Sequence, residues 1–262
     1  MKKYVDINAD IGESFGNYKL GFDEDIIKNI TSANIATGFH AGDPNWMKKT
    51  IDLSVKNNVA IGAHPSYQDL IGFGRRDMKL SSEEIENIIK YQVGSMIGFT
   101  GLDNLQHVKP HGALYNNAVK DKSIAQAIIK SINSISSELI HVVLAGSLWE
   151  ELADEANVKY IRETFADREF MSDGTLAPRS IEGSVIENID LILDRTLSMI
   201  KNGKVKSLQG DVIEIKFDSI CVHGDTKGSV EISKKINDKL KTNGIKIKSM
   251  FEILNAKVSL IY

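Results

Sequence analysis

Thiols are nearly absent: Cys221 is the one cysteine in 262 residues. No intrachain disulfide can form, and the thiol content gives no reason to expect an oxidising compartment. Proline is scarce at four residues, and no low-complexity stretch separates the chain into parts, so one domain over residues 1–262 is expected. The first residues run directly into Asp6, Asn8 and Asp10 without the apolar core of a signal peptide. No apolar run approaches the length of a membrane span. A cytoplasmic chain is the resulting expectation. The formal net charge is −3, and no basic cluster is dense enough for a nucleic-acid groove. The lysines from Lys234 to Lys248 alternate with apolar residues, as on a solvated helix face. A GxxxxGK[ST] phosphate loop is missing, as is a convincing GxGxxG between strand and helix, which argues against nucleotide chemistry by this chain alone.

What is present is a regular alternation of short apolar runs with longer helical patterns. Strands are predicted over Lys3–Asn8, Ala33–Thr37, Val59–Ala63, Leu105–Lys109, Ile140–Ala145, Lys159–Glu163 and Ser219–His223, with a further short strand and helix over Ile247–Leu254. Ile85, Ile88, Ile89, Val93, Met96 and Ile97 repeat every 3.6 residues behind a Ser81–Glu84 capping box. Val185, Ile189, Ile192, Leu193, Thr196 and Ile200 mark a second helix. Asp43-Pro44 supplies an N-cap followed by proline at the first helical position. Repeated strand–helix units imply a parallel sheet, because each parallel connection needs a crossover. Seven such units fit a single (β/α) barrel, with a doubly wound open sheet as the alternative.

Polar residues gather where the predicted strands end. Asp6, Asn8 and Asp10 alternate and therefore share a side, with Glu13 close behind. His40, His64, His111 and His223 each follow a strand beside glycine or proline, and Lys109 and Asp225 lie with them. In a parallel barrel all these ends meet at one face, so residues two hundred positions apart can share a pocket. Arg75, Arg76 and Arg168 fall in loops of the same rim, as a substrate clamp or a solvated edge. Asp43 has two roles open to it, helix cap or site residue. His107 and His141 lie within strands and read as structural, and Cys221 reads as a buried strand residue before a nucleophile. Histidines with carboxylates suit either proton relay to water or a divalent metal, for which Asp10, His40 and His64 are the candidate ligands.

Seven stretches then carry a resemblance: Asp6-Ile7-Asn8-Ala9-Asp10-Ile11-Gly12-Glu13, Gly38-Phe39-His40-Ala41-Gly42-Asp43-Pro44, Gly62-Ala63-His64-Pro65-Ser66-Tyr67, Gly72-Phe73-Gly74-Arg75-Arg76, Val108-Lys109-Pro110-His111-Gly112-Ala113-Leu114-Tyr115, Phe165-Ala166-Asp167-Arg168 and Cys221-Val222-His223-Gly224-Asp225. In this order they resemble the LamB/YcsF family along essentially the whole chain. Thr37 departs from the family, which usually shows cysteine there, and this argues against a required thiol. The resemblance implies a seven-stranded barrel related to polysaccharide deacetylases. It also implies ATP-dependent opening of the lactam 5-oxoproline to L-glutamate by a 5-oxoprolinase, with partner subunits B and C and with ATP as a co-substrate handled by a partner. Catalytic roles are then expected of Asp10, His40, His64, Lys109, His111, His223 and Asp225. Substrate contacts are expected from Asn8, Glu13, Asp43, Arg75, Arg76 and Arg168, with Lys109 or an arginine on the substrate carboxylate or departing phosphate. The rival readings are a stand-alone metal-dependent amide hydrolase and a non-catalytic 5-oxoproline-binding protein.

Overall fold

Residues 4–223 and 228–258 are described by a computed structural model. The strands are β1 (Tyr4–Ile11), β2 (Ser32–Ala36), β3 (Ala60–His64), β4 (Leu105–Val108), β5 (Ile140–Leu144), β6 (Tyr160–Phe165), β7 (Lys204–Lys206), β8 (Val212–Glu214), β9 (Ser219–His223) and β10 (Lys246–Ile247). The helices are α1 (Asp23–Ile26), α2 (Pro44–Lys56), α3 (Ser82–Thr100), α4 (Gly112–Ala118), α5 (Lys122–Ile135), α6 (Leu148–Glu155), α7 (Ile189–Asn202), α8 (Ser229–Thr242) and α9 (Met250–Val258). Strands β1 to β6 and β9 pair in parallel, and β1 also pairs with β9, which closes a seven-stranded barrel. The open-sheet alternative is thereby set aside.

The expected strands are present with shifted ends. The first extends to Ile11, because residues 8–11 keep pairing with Ser32–Ile35; its acidic residues lie within the strand, facing the barrel interior. The Ser81–Glu84 capping box opens α3, and Asp43 caps α2. Val185 lies outside α7 and bridges Arg168 instead. The β7–β8 hairpin, which the sequence pattern did not reveal, stands outside the barrel. No helix among the described residues is long and apolar enough to cross a membrane.

Strand alternation divides β1 cleanly. Val5, Ile7, Ala9 and Ile11 join the apolar layer under the helices, while Asp6, Asn8 and Asp10 enter the interior. That interior is layered. Ile140, Val142 and Ile161 pack on Met250 and Ile253 of α9, which plugs the N-terminal end. Above them, Asp6 accepts hydrogen bonds from Thr31, Ser32 and Ser219, and Asn8 bonds Glu163, Ser219 and Asn34. His107 bonds Asn34 at 2.8 Å. Its ring fills the space that a side chain at Gly62 would occupy.

Burial pushes the Asp6 carboxyl up to about 6, although its three hydroxyl donors act the other way. A raised acid binds its proton more readily in the folded state, so its contribution to stability is present below about pH 4 and is lost as pH rises towards 6. The loss amounts to ~3 kcal/mol at most. Asp6→Asn does not titrate, so between pH 4 and pH 7 it is expected to gain stability relative to the parent by up to that amount. Urea unfolding at the two pH values measures it, and an unchanged difference would remove Asp6 as the cause.

Candidate active site

The barrel's C-terminal mouth opens into a cavity of about 780 Å³. β1 delivers Asp10 and then Glu13, the turn after β2 delivers His40, β3 ends at His64, and the turn after β4 carries Lys109 and His111. The loop between β3 and α3 folds back beneath these rings. Gly74 allows this: its φ is +65°, and a Cβ there would come within 2.8 Å of His40 Cβ. The preceding Phe73 has φ +53°, a conformation that L side chains rarely adopt, and its carbonyl is thereby aimed at His111.

Those backbone contacts fix the imidazole tautomers. His64 Nδ1 lies 2.6 Å from the Lys109 carbonyl, and His111 Nε2 lies 2.9 Å from the Phe73 carbonyl. A carbonyl only accepts, so each of these nitrogens carries the hydrogen and each neutral ring keeps its lone pair on the other nitrogen. The two lone-pair nitrogens, His64 Nε2 and His111 Nδ1, face each other at 2.9 Å. Two acceptors at that distance repel unless a proton or a cation lies with them. Burial, followed by the neighbouring His64, holds His111 well below the usual imidazole range and disfavours the extra proton. His40 is stacked on His111 with ring centroids 3.9 Å apart. It is lowered as well, by burial and then by His111, and neither of its ring nitrogens has a hydrogen-bond partner. Glu13 Oε1 lies 3.6 Å from His40 Nε2 and 3.9 Å from His111 Nδ1. Glu13, His40, His64 and His111 thus offer four ligand atoms within 4.8 Å of one another. Three buried imidazoles with one carboxylate fit a divalent transition metal. Of the ligands expected from sequence, His40 and His64 belong to this group. Asp10 lies beside it, with Oδ2 3.3 Å from His64 Nε2.

Lys109 is not a free anion clamp. Its ammonium is 2.9 Å from both Asp10 and Glu163, 3.0 Å from Cys221 Sγ and 3.3 Å from Asn8 Oδ1. These acceptors take up its three hydrogens. Burial opposes the charge, but the Asp10 and Glu163 carboxylates, with the Cys221 sulfur accepting a hydrogen bond, outweigh it and hold the ammonium well above its usual range. Burial also pushes the Cys221 thiol up, so it stays neutral as a strand residue of the interior.

Three expected substrate contacts are otherwise engaged. Asn8 is fully buried below Lys109. Asp43 accepts from the backbone of Asn45, Trp46 and Gly16, as a helix cap must. Arg76 is paired with Asp69, closing the loop that presents Phe73. Arg75 and Arg168 do line the cavity. His223 ends β9 with its backbone paired to Asp10, and Asp225 lies outside the described residues. His107 and His141 are buried strand residues, and burial lowers them to about 3 and about 4.

Glu163 and Arg179 were missed from sequence. The first had a signal, a carboxylate at the end of a predicted strand. Arg179 had none, since it lies in the irregular connection between β6 and α7.

Residues 5–255 match the LamB/YcsF family. A protein of Thermococcus onnurineus, named as the A component of 5-oxoprolinase, is 51% identical over 252 residues, 95% of this chain and 99% of that one. A protein of the same name from Pyrococcus furiosus is 50% identical with the same coverage. The crystal structure of a lactam utilization protein from Thermus thermophilus superposes with a TM-score of 0.88 at 38% identity, covering 95% and 99% of the two chains. The peptidoglycan deacetylase PdaC from Bacillus subtilis shares the fold, with a TM-score of 0.51 at 12% identity over 98% and 94%.

Proposed function

The chain belongs to the LamB/YcsF family, and on that premise we propose that it is the A component of an ATP-dependent 5-oxoprolinase, opening 5-oxoproline to L-glutamate with subunits B and C. The observation that carries this reading is the buried Glu13–His40–His64–His111 group, of which Glu13, His64 and His111 line the cavity, in a chain about half identical to proteins named for that activity. The ATP requirement of that reaction supports a cytoplasmic location.

A lactam resists water because amide resonance stabilises it. A partner that places a phosphoryl group on the lactam oxygen makes the ring carbon electrophilic. This chain then directs water at that carbon, the ring C–N bond breaks as its nitrogen takes up a proton, and a second water cleaves the resulting acyl phosphate to glutamate and inorganic phosphate. Glu13, His40, His64 and His111 would hold a divalent metal, which would lower the pKa of water when bound. Asp10, ion-paired to Lys109 and 3.3 Å from His64 Nε2, is positioned to take a proton from water. His64 and His111 are held in single tautomers by backbone carbonyls, so their lone pairs are preset for that chemistry. Arg75 and Arg168 supply positive charge on the cavity wall.

The test is glutamate release from 5-oxoproline and ATP by this chain alone and by the chain with subunits B and C. Glutamate is expected only from the complete mixture. Silence in both mixtures, with partners verified as competent, overturns the reading. ATP-independent, chelator-sensitive amide hydrolysis by the chain alone identifies the stand-alone hydrolase instead.

A further inference from the structure

One wall of the cavity comes from the connection between β6 and α7, which folds back on itself. Phe170 pairs with Leu176 and Arg168 with Val185 in antiparallel bridges. Arg195 of α7 pins its base, donating to the Arg168 carbonyl at 2.9 Å and to Glu169 at 2.6 Å. Arg168 is thereby held on a rigid support. It is 6% exposed, it lines the cavity, and its Nη2 donates to the Ala177 carbonyl. Its Nε is buried with no acceptor. Arg179, on the same connection, also lines the cavity but is exposed.

Both guanidiniums line the same cavity. Burial, followed by repulsion from Arg179, brings Arg168 down to about 10, with Asp167 opposing and Arg75 adding to the repulsion. A buried guanidinium with an unmatched donor beside a second cation is stabilised by an anion between them.

We infer that Arg168 and Arg179 form an oxyanion subsite in the cavity that Glu13, His64 and His111 also line, and that it takes a phosphoryl dianion. That the anion is a phosphoryl group rests on the lactam-opening function proposed for the chain. Charge and shape favour it over the substrate carboxylate. A carboxylate offsets one guanidinium, whereas a phosphoryl dianion offsets two and presents three terminal oxygens to donors at different angles. The cavity, at about 780 Å³, is in the range that encloses a drug-sized ligand, which leaves room for the small lactam ring together with its phosphoryl group. The subsite would hold the phosphoryl group while water adds to the ring carbon and the C–N bond breaks, and would release inorganic phosphate once a second water has cleaved the acyl phosphate.

The experiment is calorimetric titration of the full chain, freed of metal, with inorganic phosphate and with acetate at matched ionic strength. The parent is compared with Arg179→Gln, whose side chain is exposed, and with Arg168→Lys. Phosphate is expected to bind the parent at least tenfold more tightly than acetate does, and each substitution is expected to weaken phosphate at least tenfold. Equal phosphate affinity in the parent and Arg179→Gln overturns the subsite. Acetate binding as tight as phosphate reassigns the arginines to a carboxylate and overturns the phosphoryl proposal. The titration needs no partner. Failure of the complete mixture to make glutamate would therefore sink the lactam-opening function and leave the binding result standing, and the reverse also holds.

Discussion

His64→Ala is expected to lower glutamate formation by the assembled enzyme at least ~10²-fold, the scale on which a positioned acid–base or ligand group contributes, while the barrel stays folded. Both ring nitrogens of His64 are committed, Nδ1 to the Lys109 carbonyl and Nε2 towards His111 and Asp10. Alanine therefore removes the lone pair and the group that ties β3 to the turn after β4. Stability should fall by only about 1 kcal/mol, the net worth of an ordinary hydrogen bond, since the vacated carbonyl borders the cavity. The same substitution should abolish stoichiometric Zn²⁺ or Co²⁺ uptake in equilibrium dialysis. His141→Ala is the control: that ring is equally buried but lies in β5, away from the ligand group, so its loss should appear in the melting temperature and leave turnover of the folded fraction within about twofold, as expected of a residue remote from the chemistry. More than a tenth of parental activity in folded His64→Ala would remove His64 from the working group.

Much of this was legible in the sequence because a parallel barrel turns strand order into spatial coincidence. The ends of β1, β3 and β4 were recognisable from their apolar runs, so Asp10, His64, Lys109 and His111 fell together on pattern alone, and His40 followed from its glycine-flanked turn. What the pattern did not convey was depth along a strand. Asn8 and Asp10 are two residues apart on one face, yet the first lies inside the barrel and the second at the cavity floor. Register sets that difference, and register depends on the neighbouring strands. The roles of Lys109 and Glu13 were hidden for a similar reason. A lysine at a strand end suggests an anion clamp until Glu163, more than fifty residues later, is found across the barrel. Asp43 shows the opposite outcome, since its cap motif is local and the local reading prevailed. Arg179 was invisible because an irregular connection has no period to read.

The buried ammonium gives the larger stability effect. Lys109→Met is expected to lower unfolding free energy by ~3–5 kcal/mol, the usual loss when one partner of a buried ion pair is removed. That is a large share of the ~5–15 kcal/mol a domain typically has. The reason is the fate of the partners. Glu163 is fully buried, with its Oε1 bonded to Lys109 and Asn8. Without the ammonium, that carboxylate must stay charged in a low-dielectric interior or take up a proton. Lys109→Met with Glu163→Gln removes the stranded charge as well and should recover a substantial part of the loss, so the two substitutions are non-additive, as contacting residues are. Lys109→Arg should not restore the parent, because a planar fork does not replace a point charge shared among acceptors on β1, β6 and β9. Urea midpoints at pH 7 measure all three. A double variant no more stable than Lys109→Met would mean that the loss comes from packing rather than charge. If charge is the cause, activity should not return with stability: Asp10 would still lack the ammonium now 2.9 Å from its Oδ1, and the carboxylate beside His64 would be free to turn away from the cavity floor.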